Sequence, residues 1–249
     1  MIELNNIVKT FNAGRPNEVN AIQQLTLTIN AGEYVVVVGA NGSGKSTLLN
    51  LIAGNIRPSA GRIMIDGYEV SRLHEFERSR WIARVFQDPL SGTAAELTIL
   101  ENFRLAALRT KSKGFTVGIN SKFKQQVQER IATLGMGIEN KTDQLMGSLS
   151  GGQRQALTLL MSVMTDCKIL LLDEPSAALD PRSAQIVMQT ADELIKRFSL
   201  TAILITHNLK DAFTYGHRLL HMQDGAIIKD ISQVKKVALT QNDLYSWFS

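Results

Sequence analysis

Gly39-Ala40-Asn41-Gly42-Ser43-Gly44-Lys45-Ser46-Thr47 is the stretch on which the fold turns. It lies between Tyr34-Val35-Val36-Val37-Val38 and the apolar Leu48–Ala53. The first flank is a continuous β-branched run, the pattern of a strand buried on both faces. The second reads as a helix. A strand that runs into glycines and opens a helix with Lys-Ser-Thr matches G-x-x-x-x-G-K-[ST]. The glycines let successive N–H groups curl inward toward phosphate oxygens. The helix beginning near Lys45 adds its positive end. Lys45 supplies a point charge for terminal phosphates. Ser46 supplies an oxygen for Mg2+, a hard ion that keeps several waters. A turn that merely joined strand to helix would need neither group.

Further along, Ile169-Leu170-Leu171-Leu172-Asp173-Glu174 is an apolar strand ending in two acids. Parallel strands deliver ligand-binding residues at their carboxyl ends. Asp173 is placed to complete a Mg2+ shell, and Glu174 to polarise an attacking water. Leu149-Ser150-Gly151-Gly152-Gln153 has a plain reading as a capping box, with Ser150 and Gln153 opening a helix over 153–163. Two glycines are costly for capping alone. They make sense where backbone must approach a ligand closely.

The chain has 249 residues, 44% hydrophobic and 20% charged, with five prolines and 18 glycines. This composition excludes collagenous and disordered classes. The longest apolar runs, 34–38 and 169–172, are far short of the roughly 20 residues that cross a bilayer. Met1–Thr10 lacks the basic start and apolar block of a secretory leader. The single cysteine, Cys167, cannot form an internal disulfide, which fits a reducing cytosol. The net charge of +4 lies wholly between Ser71 and Leu145, where twelve Lys+Arg face eight Asp+Glu. Either an ordinary solvated surface or a bias toward acidic partners accounts for it.

The remaining pattern is α/β with a helical insert. Ile2, Leu4, Ile7 and Val8 form one strand, and Leu25, Leu27 and Ile29 alternate as a half-buried antiparallel strand. Residues 12–20 read as a loop. Helical spacing covers 98–108 and 122–134, with Val127, Ile131 and Leu134 on one face. Residues 111–122 form a basic connection between them. Helices follow over 181–198 and from near Asn208, with a strand over 201–206 between them. Gln223-Asp224-Gly225 is a hairpin turn.

With these motifs in this order, the chain resembles the ATP-binding-cassette (ABC) ATPases along nearly its whole length. LSGGQ between a P-loop and an LLLDE strand is that family's signature. The resemblance implies a P-loop NTPase core: a RecA-like, mainly parallel sheet with flanking helices, plus an N-terminal antiparallel β subdomain and an inserted helical subdomain. It implies one domain over 1–249, with 1–88 and 147–231 as the core, 89–146 as the helical subdomain and 232–249 as a tail. Residue by residue, Gln87 looks like the Q-loop glutamine and a Mg2+ ligand. Ser176–Asp180 looks like the D-loop, His207 like the switch histidine, and Phe11 like the aromatic that stacks on adenine. ATP contacts are expected from Gly39, Asn41, Gly42, Ser43, Gly44, Lys45, Ser46 and Thr47, and from Ser150, Gly151, Gly152, Gln153 and Asp180. Metal contacts are expected from Ser46, Gln87 and Asp173. Glu174, His207 and Gln87 are the expected catalytic set. Asn140-Lys141-Thr142-Asp143 matches a guanine-reading motif, but it follows a helix end instead of a buried strand and reads as a solvated loop.

The family pairs two ATPases head to tail, so a homodimer or paired ATPase is implied. A stand-alone cassette of this kind implies integral membrane permease subunits, an extracytoplasmic solute-binding protein, and a peripheral place on the cytoplasmic face of the inner membrane. The permease would meet 88–102 and the neighbouring helical lobe, where the basic excess lies near an anionic leaflet. The segments around 85–102 and 134–161 look like bacterial import-type ATPases of a poorly characterised group with amino-acid-like solutes. Pro175 departs from that group, though it is common in the wider family. The alternative is a soluble ABC ATPase acting on nucleic acid, ribosomes or a protein scaffold. The absence of a second cassette, long coiled coils or a zinc site argues against it, and no nucleic-acid partner is expected.

Overall fold

The structure, a computed structural model, describes residues 1–110, 118–240 and 243. Part of the expected basic connection (111–117) and most of the tail beyond 240 lie outside the described residues. The chain divides into two compact units. The first comprises Met1–Arg78, Leu171–Glu174 and Ser199–Ser249; the second comprises Ser79–Leu170 and Pro175–Phe198. The expected helical subdomain over 89–146 falls within the second.

In chain order, the first stretch contains β1 (Ile2–Phe11), β2 (Val19–Ile29), β3 (Tyr34–Val38), α1 (Lys45–Ala53), β4 (Ala60–Ile65), β5 (Tyr68–Glu69) and α2 (Glu75–Arg78). Next come β6 (Ile82–Val85), α3 (Ile99–Ala107), α4 (Ser121–Ala132), a 3-10 turn at Met146–Ser148 and α5 (Gly151–Ser162). Then follow β7 (Ile169–Asp173), α6 (Pro181–Arg197), β8 (Thr201–Ile205), α7 (Leu209–Thr214), β9 (Arg218–Gln223), β10 (Ala226–Ile231) and α8 (Gln233–Val237).

The first unit carries two sheets. One is antiparallel, in the order β2-β1-β4-β5. Its register sets Leu4 opposite both Leu27 and Ile63, so alternate residues of three strands share one buried face. The other runs β10-β9-β3-β8-β7. Here β3 is central, parallel to both β8 and β9, and all five of its residues are buried. That is the outcome expected of a β-branched run with no polar face. The hairpin between β9 and β10 turns at Asp224 (φ 48°) and Gly225 (φ 78°), the positive pair a two-residue type I′ turn requires. β4, β5 and β6 have no counterpart in the sequence reading. In β4 only Ile63 and Ile65 are buried, too few residues to declare a period.

In the second unit α4 buries Val127 and Ile131, with Leu134 just beyond its end. α5 packs on α6 and β6. Every helix from α3 to α7 opens on a side-chain cap: Thr98, Asn120, Ser150, Asp180 and Asn208 each accept from first-turn N–H groups. The Asn140–Asp143 segment is a turn, but not a solvated one throughout. Thr142 is fully buried and its carbonyl accepts from Leu100 N at 3.0 Å, fixing the start of α3.

Candidate functional site

α1 is the exception among the longer helices. Its N-cap is Gly44, at φ 101°, with no side-chain cap. The first N–H groups of a helix have no intrahelical acceptors, so this end offers donors to an anion. The loop feeding it is held in place from behind. A Cβ on Gly44 would meet the Ala21 carbonyl oxygen at 2.7 Å and Ile22 Cδ1 at 3.2 Å. The Gly225 N–H donates to the Ser43 carbonyl at 3.0 Å, and Gln23 Nε2 donates to the Asp224 carbonyl at 2.9 Å. The loop therefore rests on β2 and the β9–β10 turn, with no room for any residue but glycine at 44. Ser43 Oγ is buried with no hydrogen-bond partner among the described residues. Buried polar atoms are nearly always satisfied, so this hydroxyl is a group awaiting a ligand.

Lys45 is buried and bends back so that Nζ donates to the carbonyls of Gly39 and Ala40, each at 2.9 Å. Burial pushes its pKa below the usual lysine value, while the carboxylates of Glu174 and Asp173 pull the other way. The two acids at the end of β7 therefore lie within electrostatic reach of the loop cation. Asp173 is buried, and Ser46 is exposed on the first turn of α1. A hydroxyl and a carboxylate beside a phosphate cradle are the oxygen donors a hard divalent ion takes, so the residues present fit Mg2+.

Glu174 is held by backbone as well as side chain. It is a non-glycine residue at φ 46°, a conformation that costs on the order of 1 kcal/mol or more. Its N–H donates to the Ile205 carbonyl at the end of β8, at 3.0 Å. Two residues past Ile205, His207 Nδ1 lies 2.8 Å from Glu174 Oε2. The Glu174 side chain is 15% exposed and that of His207 is 60% exposed. The strand ends thus aim a carboxylate and an imidazole at each other. Phe11 ends β1 opposite Val19, half-buried, with the Lys9 ammonium 4.9 Å from its ring centroid.

Asn41, Gly42 and Thr47 lie with the rest of the loop in the first unit, whereas Gln87, Ser150–Gln153 and Asp180 belong to the second. Gln87 is exposed just after β6. Ser150 and Gln153 complete a reciprocal capping box, at 3.2 and 3.3 Å. The helix begins at Gly151, two residues earlier than predicted, so both glycines lie in its first turn. They differ in kind. A methyl on Gly152 would overlap Ser183 Cβ and Oγ, whereas on Gly151 it would meet Leu179 Cδ2 at 3.4 Å. Gly152 is thus required by the close packing of α5 on α6, a reason that needs no ligand. Asp180 caps α6 through Arg182 N and Ser183 N at 3.1 and 3.0 Å. Its bonds to Ser183, side chain then backbone, hold its carboxyl below the usual range.

Arg154 and Gln155, buried polar residues of α5, escaped the sequence reading. Arg154 donates to the carbonyls of Met146, Gly147 and Leu149 at 3.2, 2.9 and 3.1 Å. Gln155 donates through Nε2 to the Phe86 carbonyl at 2.7 Å. Their only signal was a run of three polar residues, Gln153–Gln155, opening a mostly apolar helix.

The ABC transporter family model matches residues 22–177. A tyrosine transport ATP-binding protein of Clostridioides difficile (strain R20291) is 36% identical over 250 residues, covering 100% of this chain and 98% of its own. The thiamine import ATP-binding protein ThiQ of Escherichia coli (strain K12) is 33% identical over 204 residues, covering 82% and 83% respectively. Among solved structures, the dimeric post-hydrolysis state of the ATP-binding cassette MJ0796 bound to ADP and Pi is similar. Its TM-score is 0.80 at 27% identity, over 94% of this chain and 99% of that one.

Proposed function

The chain belongs to the ABC transporter family, and from that premise we propose that it powers a bacterial solute importer by hydrolysing ATP. It is an ABC-type ATPase that binds ATP. The observation that carries the reading is the convergence of Lys45, Asp173, Glu174 and His207 at the ends of β3, β7 and β8.

ATP is the substrate, its phosphates on the Gly39–Thr47 loop and the uncapped end of α1. Lys45 exchanges the Gly39 and Ala40 carbonyls for terminal phosphate oxygens. Ser46, Asp173 and Gln87 are the residues that would hold Mg2+, which supplies charge neutralisation when bound. Glu174 takes a proton from water as the water oxygen bonds to the γ-phosphorus. The bond from that phosphorus to the bridging oxygen breaks, leaving ADP and phosphate. His207 orients the carboxylate through Nδ1 and offers its other nitrogen to the γ-phosphate. Phe11 stacks on adenine. Asp180 and the start of α5 (Ser150, Gly151, Gly152 and Gln153) serve the nucleotide of a paired ATPase, so two copies are needed for two sites. Residues 1–88 and 147–231 act as the core, 89–146 as the lobe that meets the permease, and 232–249 as a tail.

The full-length similarity to a tyrosine transport ATP-binding protein supports an amino-acid-like solute. No helix among the described residues is long and apolar enough to cross a membrane, so integral permease subunits would supply the pathway. An extracytoplasmic binding protein would deliver the solute, and this chain would sit peripherally on the cytoplasmic face. Purification from detergent-solubilised native membranes tests this. The expected result is co-isolation of a multi-span permease and ATPase activity stimulated by an amino acid with its binding protein. Recovery with ribosomes or nucleic acid, and with no membrane protein, would refute it.

A further inference from the structure

Gln87 has an anchor on each side. Before it, the Phe86 carbonyl accepts from Gln155 Nε2 at 2.7 Å, and Gln155 is 1% exposed. The Phe86 ring lies under the Arg84 guanidinium at 4.6 Å. After it, Asp88 closes a turn, with Oδ1 accepting from Leu90 N at 2.9 Å and its carbonyl from Ser91 N at 3.0 Å. The residue that holds Phe86 sits on the second turn of α5. Its neighbour Arg154 fixes the three carbonyls that lead into Ser150. Two consecutive side chains thus grip the two functional loops of this unit, and the bond from Gln155 to Phe86 spans 69 positions in sequence.

We propose that Gln155 is a positioning residue for Gln87, making the Gln87 loop and the N-terminus of α5 one mechanical element. A shift of Gln87 with nucleotide state is then carried directly to Ser150 and Gly151 through one buried amide–carbonyl bond. Gln155 touches no nucleotide; it sets where Gln87 stands. This rests on the ATPase reading above.

The test uses the full chain and three variants. Gln155→Met keeps the side-chain volume and removes the donor. It is expected to lower kcat about tenfold and to flatten the cooperative dependence of rate on ATP. ATP binding to the single chain should stay within about twofold. Gln155→Glu places a carboxylate against the Phe86 carbonyl. The protonated acid donates where the ionised one cannot, and burial raises a carboxyl pKa. The variant-to-wild-type rate ratio should therefore climb as pH falls from 8 to 5.5, which a merely structural defect would not do. Amide hydrogen exchange over 86–92 reads the tether without turnover and should quicken in Gln155→Met. Wild-type cooperativity with unchanged exchange in Gln155→Met, or a flat pH ratio in Gln155→Glu, would overturn the tether. A wild-type chain without ATPase activity, equal to Glu174→Gln, would instead overturn the ATPase reading beneath it.

Discussion

Alanine at Gly152 and alanine at Gly151 should have opposite consequences, although the two glycines are adjacent in the signature. At 152 the new methyl overlaps Ser183 Cβ and Oγ, far inside the ~3.5–4.0 Å at which carbon atoms pack. α5 and α6 must separate or Ser183 must shift. Overpacking of this kind costs about 1–3 kcal/mol. Replacing glycine by alanine in a helix returns about 0.5–1 kcal/mol. The net loss for Gly152→Ala is therefore centred on about 1 kcal/mol and at most about 2.5 kcal/mol, or roughly 2–4 °C in Tm per kcal/mol for a chain of this size. At 151 the nearest atom is Leu179 Cδ2 at 3.4 Å, so Gly151→Ala should be neutral or slightly stabilising while lowering ATPase activity. Urea unfolding and a coupled ATPase assay measure both. Ser183→Gly removes the obstructing atoms, so it should recover most of the loss in Gly152→Ala, a coupling visible in a double-mutant cycle. Wild-type stability in Gly152→Ala, or additive effects with Ser183→Gly, would refute the packing argument.

Two further outcomes follow from buried cations of the first unit. Arg78 is fully buried and donates to the carbonyls of Leu51, Ile52 and Leu73 at 2.7, 2.8 and 3.1 Å, and burial is the main cause of its pKa falling to about 10. Arg78→Met leaves those carbonyls unpaired and should cost about 2–4 kcal/mol in urea unfolding; a loss under 1 kcal/mol would show that water replaces the guanidinium. Lys236 of α8 donates to the carbonyls of Tyr215 and Gly216, and burial lowers its pKa from 10.5 to about 8. The unfolded chain holds this proton more tightly than the folded one, so stability gains as pH rises through the window from about 8 to 10.5, and below 8 the cost of the buried charge is present in full. The Tm difference between wild type and Lys236→Met should therefore shift in favour of wild type from pH 7.5 to pH 10, and a pH-independent difference would contradict it.

The phosphate loop, β3 and the acids ending β7 were legible because each is encoded locally, by glycine spacing or by an unbroken β-branched run. The capping box at Ser150 and Gln153 was legible for the same reason. What escaped depends on partners distant in sequence. The packing constraint on Gly152 escaped because nothing near it in sequence announces Ser183. The bond from Gln155 to Phe86 spans 69 positions, and glutamine in a helix reads as solvated until the structure buries it. The short strand β4 escaped because two buried isoleucines do not establish a period. The positive φ of Glu174 is likewise invisible in sequence, since it comes from the register that ties its N–H to Ile205.

The most direct measurement is steady-state ATP hydrolysis by Glu174→Gln, alongside ATP binding and size-exclusion mass. Removing the proposed base while keeping the side-chain shape should lower turnover by roughly 10²–10⁴-fold. ATP affinity should hold within a few-fold, and an ATP-dependent dimer should accumulate. Turnover near the wild-type rate, with no such dimer, would contradict the assignment of Glu174 as the group that takes the proton from water.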